Sequence, residues 1–425
     1  MSVFNQQDPY RRLADIDAGR IASTWSSLPA SSGCSIDEQR VSLHAGALAE
    51  PSRAAQDART GSFDLIDPRY RAQLDVTAQT HCVFAQISAQ RRVGVDGDFW
   101  SMDGSALSWQ INPHWRIGAG LIARQWGPAW DGSLILGTTA RPVGSVSIDA
   151  DTGVLPQTSW WSWLGQVQFT GFLGQLEDGR GDYSRPWLLG MRVVVRPIPA
   201  LELGASRTAQ VGGEGRDNSI QMFWKALLGS DNQTNGAGGF EQPGNQLGGF
   251  DARFSLDRWL PSVAVYGQMI GEDEAANLPS KYMVLGGASW RHANGLAFVE
   301  WTDSTAGLPG VAYNHFIYTD GYRYHGRPLG YWADGDSNIW TFGALWQAGP
   351  WGGEGLAVVR SGKLNDAGAS TSWPQADLLY ASAQWRVLLQ PSLQLTVAAD
   401  VLRLNNLPAS ADSTDTQLRV QLQWW

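Results

Sequence analysis

The chain has 425 residues, a formal net charge of −9, 22 Trp, 49 Gly and 17% charged residues, where a typical soluble domain carries roughly 25% charge. The charge has the wrong sign for phosphate contact, which argues against nucleic acid, and 43% hydrophobic residues exclude a disordered acidic chain. Mean hydropathy is −0.23 and no run approaches the ~18 apolar residues of a spanning helix, which leaves an all-β protein; spanning strands that are apolar only at alternate positions give outer-membrane barrels such a soluble-looking average.

Residues 1–62 read as a small helical region ahead of the β part, the alternative being a loose N-terminal extension. Asp8-Pro9 is an N-cap with proline in the first turn, and Ser35-Ile36-Asp37-Glu38 is a capping box ahead of Val41, Leu43 and Leu48. Ala54 to Arg59 fits a third short helix. Met1 to Asp8 has neither a basic nor an apolar stretch of the kind that starts an export signal. A barrel reading therefore places that signal upstream of this start, or takes it as already removed.

From about residue 63 to 425 the period is two, which predicts a large transmembrane antiparallel β-barrel. Leu393, Leu395, Val397, Ala399 and Val401 share one face, with Gln394, Thr396 and Asp400 on the other. Leu418, Val420, Leu422 and Trp424 oppose Gln417, Arg419, Gln421 and Gln423. Leu189, Met191, Val193 and Val195 oppose Arg192 and Arg196. Soluble sandwiches also alternate, but here the connections alternate too. Tight ones (112–114, 197–200, 257–261, 291–294, 349–352, 390–392) interleave with long ones (125–141, 177–186, 211–248, 271–280, 302–336, 361–375). In an up-and-down barrel this puts all long loops at one end, the outer-membrane pattern. Asp149 to Trp160 is the exception, long on the tight side. The count is about 18 strands, the first three lying within Arg71 to Trp100. Polar inward rows predict a wet lumen that loops or N-terminal helices close.

Catalytic and cofactor motifs such as a phosphate loop, HExxH, CxxC or G-x-S-x-G are absent from the sequence, and the expectation is no enzyme, no cofactor and no metal. Cys34 and Cys82 pair if the chain is exported, or stay as two small hydrophobes. The chemistry left is in the long loops. Tyr313, His315, Tyr318, Tyr322, Arg323, Tyr324 and Arg327 offer flat rings for sugar C–H faces and cations for acidic sugars; the alternative is that these rings pack the loop onto itself and shut the barrel mouth. Trp126 and Trp130, with Arg141 close behind and Arg216 in Gly213-Glu214-Gly215-Arg216, face the same choice. Glu272-Asp273-Glu274 reads as a solvated or Arg-paired loop, against a Ca²⁺ site or a glycosidase-like pair. His315 and His325 as metal ligands are disfavoured.

Several segments carry a resemblance. Gln125-Trp126-Gly127-Pro128-Ala129-Trp130-Asp131-Gly132-Ser133-Leu134-Ile135-Leu136 with Ala140-Arg141-Pro142 is one. Ser206-Arg207-Thr208-Ala209-Gln210 to Gly213-Glu214-Gly215-Arg216 is another, followed by Pro243-Gly244-Asn245-Gln246-Leu247, Leu278-Pro279-Ser280-Lys281-Tyr282 and Asp320-Gly321-Tyr322-Arg323-Tyr324. Together they resemble the Wzi family of outer-membrane capsule assembly proteins over most of residues 100–340. The resemblance implies an eighteen-stranded barrel closed to large solutes, with a periplasmic helical region. It also implies a lectin-like role in holding capsular polysaccharide or exopolysaccharide at the cell surface. Expected partners are that polysaccharide, outer-membrane lipid and the polysaccharide export machinery. The competing readings are a porin or sugar-specific channel and, last, a glycan hydrolase or lyase. Gln125-Trp126 stands where the family often has a Trp pair, which bears on glycan specificity.

Overall fold

Along Leu393–Asn405 the side chains at 396, 398, 400, 402 and 404 are buried, while Ala399, Val401 and Arg403 are exposed. On the neighbouring Ser413–Trp424, Gln417 is buried but Leu418, Val420 and Leu422 are 53%, 40% and 47% exposed. The polar row points in and the apolar row points out, the reverse of a water-facing sheet. Only a non-aqueous surround makes such an arrangement favourable.

In the computed structural model these strands form a closed antiparallel barrel. The structure describes residues 21, 23–28, 40–49, 70–80, 82–94, 97–154, 160–228, 244–275, 278–347, 353–368, 370, 373–390, 392–407 and 412–424. Among the described residues, nineteen strand segments make up the ring. Two of them, Gly97–Ser101 and Ala106–Gln110, pair in turn with different stretches of Val83–Gly94 and act as one interrupted stave. The barrel therefore has eighteen staves. Its seam is Arg40–Ala49, which pairs with both Tyr70–Thr80 and Ser413–Trp424, Ala45 lying opposite Trp424.

That seam corrects one expectation. The run after the Ser35 capping box is a barrel stave, not a helix, so the barrel starts before residue 63. A capping box is a four-residue local signal, whereas Arg40–Ala49 is the strand that joins the two ends of the sheet and removes its open edges. The other two helices foreseen in residues 1–62 lie outside the described residues. Among the described residues no helix is long and apolar enough to cross a membrane; the crossing is made by strands.

The loop parity holds with one change. Long connections (122–143, 176–186, 212–243, 304–337, 365–375) lie at one end, and tight ones (111–114, 199–200, 256–262, 293–294, 391–392) at the other. The expected long loop 271–280 is instead the meeting of two long strands, Val263–Ala275 and Leu278–His292, paired up to Ala275 and Leu278. Its acidic run continues the strand, which puts Glu272 on the inner face, buried. Outward-facing Trp109, Trp115, Trp290 and Trp340 are all at least 42% exposed, as expected of interfacial aromatics. Cys82 is disulfide-bonded. That bond suits an oxidising compartment, and Cys34, the other cysteine of the expected pair, lies outside the described residues.

Candidate functional site

The long-loop half of the lumen is filled by the protein itself. The segment at 23–28 runs inside the barrel, where Thr24–Ser26 pairs with Arg124–Trp126. Inward-facing wall residues hold it. Arg192 donates to Thr24 Oγ1 (2.8 Å) and to the Ser23 carbonyl (3.0 Å), and Ser23 N donates to Glu202 Oε2 (3.2 Å). Arg192 is itself fixed by a fully buried ion pair to Asp251 at 2.6 Å.

The 122–143 loop folds inward beside it. Gln268 donates to the Trp126 carbonyl (2.9 Å) and accepts from Leu134 N (2.8 Å). Glu300 accepts from the backbone N–H groups of Trp130 (2.6 Å) and Asp131 (3.0 Å) and from Tyr266 OH (2.7 Å). Asp131 completes the pin: Arg360 donates to it twice (2.6 and 2.8 Å), Thr341 at 2.7 Å and the Trp332 indole at 2.8 Å. Arg360 lies over the Trp332 and Tyr380 rings, 4.8 and 5.1 Å from their centroids. Trp126 is wholly buried and meets Phe172 edge-on at 5.5 Å. Gly190 makes room for it: a Cβ there would stand 2.8 Å from the Trp126 ring. The polar inward rows that predicted a wet lumen are, at this level, the docking points of the loop.

The 304–337 loop closes the end. Its centre is Arg323, whose guanidinium forks onto Asp334 (2.7–3.0 Å) and also donates to Asn314 Oδ1 and the Asp320 carbonyl. Tyr313 OH donates to the Leu134 carbonyl at 2.7 Å and accepts from Tyr331 N at 2.9 Å, which ties this loop to the first. Tyr313 N donates to Glu272. Tyr318 OH donates to the Gly212 carbonyl at 2.9 Å. Burial pushes the Tyr313 and Tyr322 hydroxyls well above the usual phenol range, so both stay neutral.

Five of the eleven residues foreseen as contacts, Trp126, Tyr313, Tyr318, Tyr322 and Arg323, thus have at most 2% of their surface exposed. They build the cap and do not face solvent. Five of the other six lie on or near its surface, and Trp130 lies deeper, in the lumen. Tyr324, His325, Gly326 and Arg327 form a two-residue hairpin turn, Tyr324 paired with Arg327. His325 and Gly326 have φ of 50° and 72°, the left-handed pair this turn demands and a reason for glycine there. The Tyr324 and His325 rings lie 4.4 Å apart. Nearby, Arg141 forks onto buried Asp103 at 2.9 Å on both arms and keeps a partly exposed edge. A second group gathers around Tyr183. Arg216 stands over the Tyr183 and Tyr318 rings at 5.1 and 5.3 Å, and His315 makes a tilted ring contact with Phe316, which is 67% exposed. Trp130 is half-buried and stacked on Phe298 inside the barrel. Sequence reading missed Tyr183 and Glu177, which accepts from His325 N at 2.8 Å. Their loop, 176–186, was recognised as long but carried no dense aromatic signal.

Arg180 latches that loop to the cap. It donates to the Arg323 and Gly321 carbonyls (2.8 and 3.0 Å) and pairs with Asp182 at 2.8 Å, both side chains buried. Burial raises the Asp182 carboxyl, but the Arg180 fork and two backbone N–H donors outweigh it and hold it below the ordinary value. A depressed carboxylate stabilises above its unfolded pKa of about 3.9 and loses that contribution as pH falls through the lower native value. The protection factors of the amides in 176–186, in which the intrinsic pH dependence of exchange cancels, are therefore expected to be equal at pH 7 and pH 5 and to fall only below about pH 4. Loss of protection already at pH 5 would contradict the latch.

The fold and cap define a class: a membrane-spanning barrel whose long-loop end is filled by its own loops, with aromatic and charged side chains of both signs on the cap's outer surface. Comparison with known proteins makes this particular. The family described as capsule assembly protein Wzi matches residues 69–418, and the chain belongs to that family. A Klebsiella pneumoniae relative, described as an uncharacterised 55.8 kDa protein in the cps region, is 39% identical over 183 residues. That match covers 43% of this chain and 35% of the relative, about a third of its length. The Escherichia coli protein Wzi, described as an outer-membrane protein involved in group 1 capsule assembly and a carbohydrate-binding β-barrel, superimposes with a TM-score of 0.77 at 24% identity. The superposition covers 90% of this chain and 83% of that one. OpdO of Pseudomonas aeruginosa shares the barrel more loosely, with a TM-score of 0.50 and 11% identity over 92% of this chain and 97% of that one.

Proposed function

We propose that this chain sits in the outer membrane, with its long-loop end facing out of the cell. There it binds exported capsular polysaccharide or exopolysaccharide and anchors it at the surface without catalysing a reaction. The observation that carries this reading is the filled long-loop end: with the lumen occupied by residues 23–28 and the two inward loops, the outer surface of the cap is the face offered to a large polar ligand. That face carries the Tyr324–His325–Arg327 turn with Arg141, and the Arg216–Tyr183–Phe316 group. Rings supply flat apolar area and guanidinium groups donate in a fixed fork. The description of the E. coli relative as carbohydrate-binding supports the same assignment. Each contact is weak, and a long glycan engaging many copies makes retention strong.

Burial lowers the pKa of His325, with Glu177 opposing, so the positive charge of its patch comes from Arg141 and Arg327 at neutral pH. Removing the ring and the cation together in Tyr324→Ala/Arg327→Ala is expected to weaken binding to the host's own surface glycan about tenfold, or about 1.4 kcal/mol. Pull-down of purified protein on that glycan measures it, with the barrel's heat-modifiable gel migration checking the fold. Unchanged binding would remove this patch from the site. Full retention of polysaccharide by cells lacking the protein would remove the function. Steady conductance of the intact protein in planar bilayers would favour the channel reading.

A further inference from the structure

One sector of the lipid-facing wall is hollow. Ala106–Gln110, Trp115–Leu121, Gly144–Val154 and Gln166–Gln175 are successive staves, and on their outer side lies a groove of ≈ 630 Å³ with an almost wholly apolar lining. That volume is in the range of sites that hold a small ligand, about 300–1,000 Å³. Cross-strand pairing builds the groove. Trp109, Ile117, Ile148 and Gly171 stand side by side across the four staves. Ala119 and Leu173 belong to the adjacent row towards the long-loop end. Gly171 and Ala119 add almost no side-chain bulk, so the wall is low where they sit, and the larger side chains around them form the sides.

The connection below these same staves is the exception to the loop parity. At the tight-turn end, residues 160–163 present Trp160, Trp161 and Trp163 at 75%, 46% and 63% exposure, with the first two rings 3.9 Å apart. A short 3₁₀ turn, Ser162–Leu164, carries them. Tryptophan concentrates where a membrane meets water, because its ring is apolar and its N–H is not. Outward-facing Val167 and Phe169 join this turn to the groove along a single stave. From Val167 to Leu173 is six residues, about 20 Å at ~3.3 Å per residue. At a strand tilt of ~40° that is about 15 Å of depth, half of the ~30 Å hydrocarbon core. The track therefore spans one leaflet, from interface to midplane, and is continuous with the exposed apolar belt that lipid already covers.

We propose that this track holds one resident phospholipid of the leaflet on the tight-turn side. One acyl chain lies in the groove over Gly171 and Ala119, and the glycerol–phosphate region is level with the Trp160–Trp163 turn. The inference rests on the barrel spanning a membrane and is independent of the glycan role.

Native mass spectrometry of the full chain, extracted in a mild detergent from cells, tests it. The expected result is a phospholipid adduct of about one per barrel that survives delipidating washes. Gly171→Leu is expected to abolish the adduct. A Cβ at 171 would approach Phe169 Cζ to 3.2 Å and Ile148 Cγ2 to 3.6 Å, so the substitution fills the hollow at little cost to the backbone. Should that variant fail to show folded-barrel migration, Ala119→Leu fills the neighbouring position, and Trp160→Ala/Trp163→Ala removes the interfacial end while leaving the staves intact. The proposal is overturned by an adduct-free wild type, by equal adduct in the folded filled variants, or by an adduct with the mass of lipid A. Failure of the membrane reading looks different: the protein would then stay monodisperse in buffer without detergent.

Discussion

Arg323→Ala is expected to loosen the whole cap. The side chain is 2% exposed and its partner Asp334 is fully buried. Removing the guanidinium leaves a buried carboxylate without its counter-ion, a loss of about 3–5 kcal/mol. It also strips donors from Asn314 and from the Asp320 carbonyl, so the damage spreads along the loop. Because the staves are independent of this pair, the barrel should keep its β-sheet circular dichroism and heat-modifiable migration. Residues 304–337 should meanwhile become cleavable by protease on intact cells, and glycan binding should fall with them. Arg323→Lys keeps the charge but not the fork and should lie between the two. A variant as protease-resistant as the wild type would mean that the loop is held by its tyrosines alone.

The second large effect concerns the pin inside the lumen. In Asp131→Ala, Arg360 loses its carboxylate while still buried against Trp332 and Tyr380, again at about 3–5 kcal/mol. Thr341 and the Trp332 indole lose an acceptor as well. The 122–143 loop would then be free to swing from the wall, and single-channel conductance, expected to be silent in the wild type, should appear in planar bilayers. The decisive comparison is Asp131→Ala/Arg360→Met. Replacing both charges by apolar groups removes the unpaired cation and is often neutral or better, so the double variant should return towards silence. Conductance as high in the double variant as in the single one would show that the plug depends on the Asp131 hydrogen bonds rather than on charge pairing.

Much of this architecture is written in local pattern. Alternation in Leu393–Asn405 and Ser413–Trp424 sets which residues share a face, and the tight and long connections set which end they share; both are properties of a dozen consecutive residues. What fails is whatever a distant partner decides. Nothing local tells Tyr313 to bury its ring, since its hydroxyl answers to the Leu134 carbonyl and its backbone N–H to Glu272. The same residue types in the same loop, Tyr324 and Arg327, end up at the surface because they flank a hairpin turn. Glu272 looked like loop acid because glycine precedes it and more acid follows, yet the strand runs on through it. The capping box at Ser35 is a sound local motif overruled by ring closure.

The segment at residues 23–28 has a consequence for how the molecule stays closed. It lies within the ring, hydrogen-bonded to Arg192 and Glu202 on staves far along the chain, and only about a dozen residues separate it from the seam stave Arg40–Ala49. The seam stave Arg40–Ala49 receives Ser413–Trp424 and is joined by that short tether to the plug. One stretch of chain thus serves both to shut the cylinder and to stopper it, and a change that weakens the seam is expected to loosen the stopper as well.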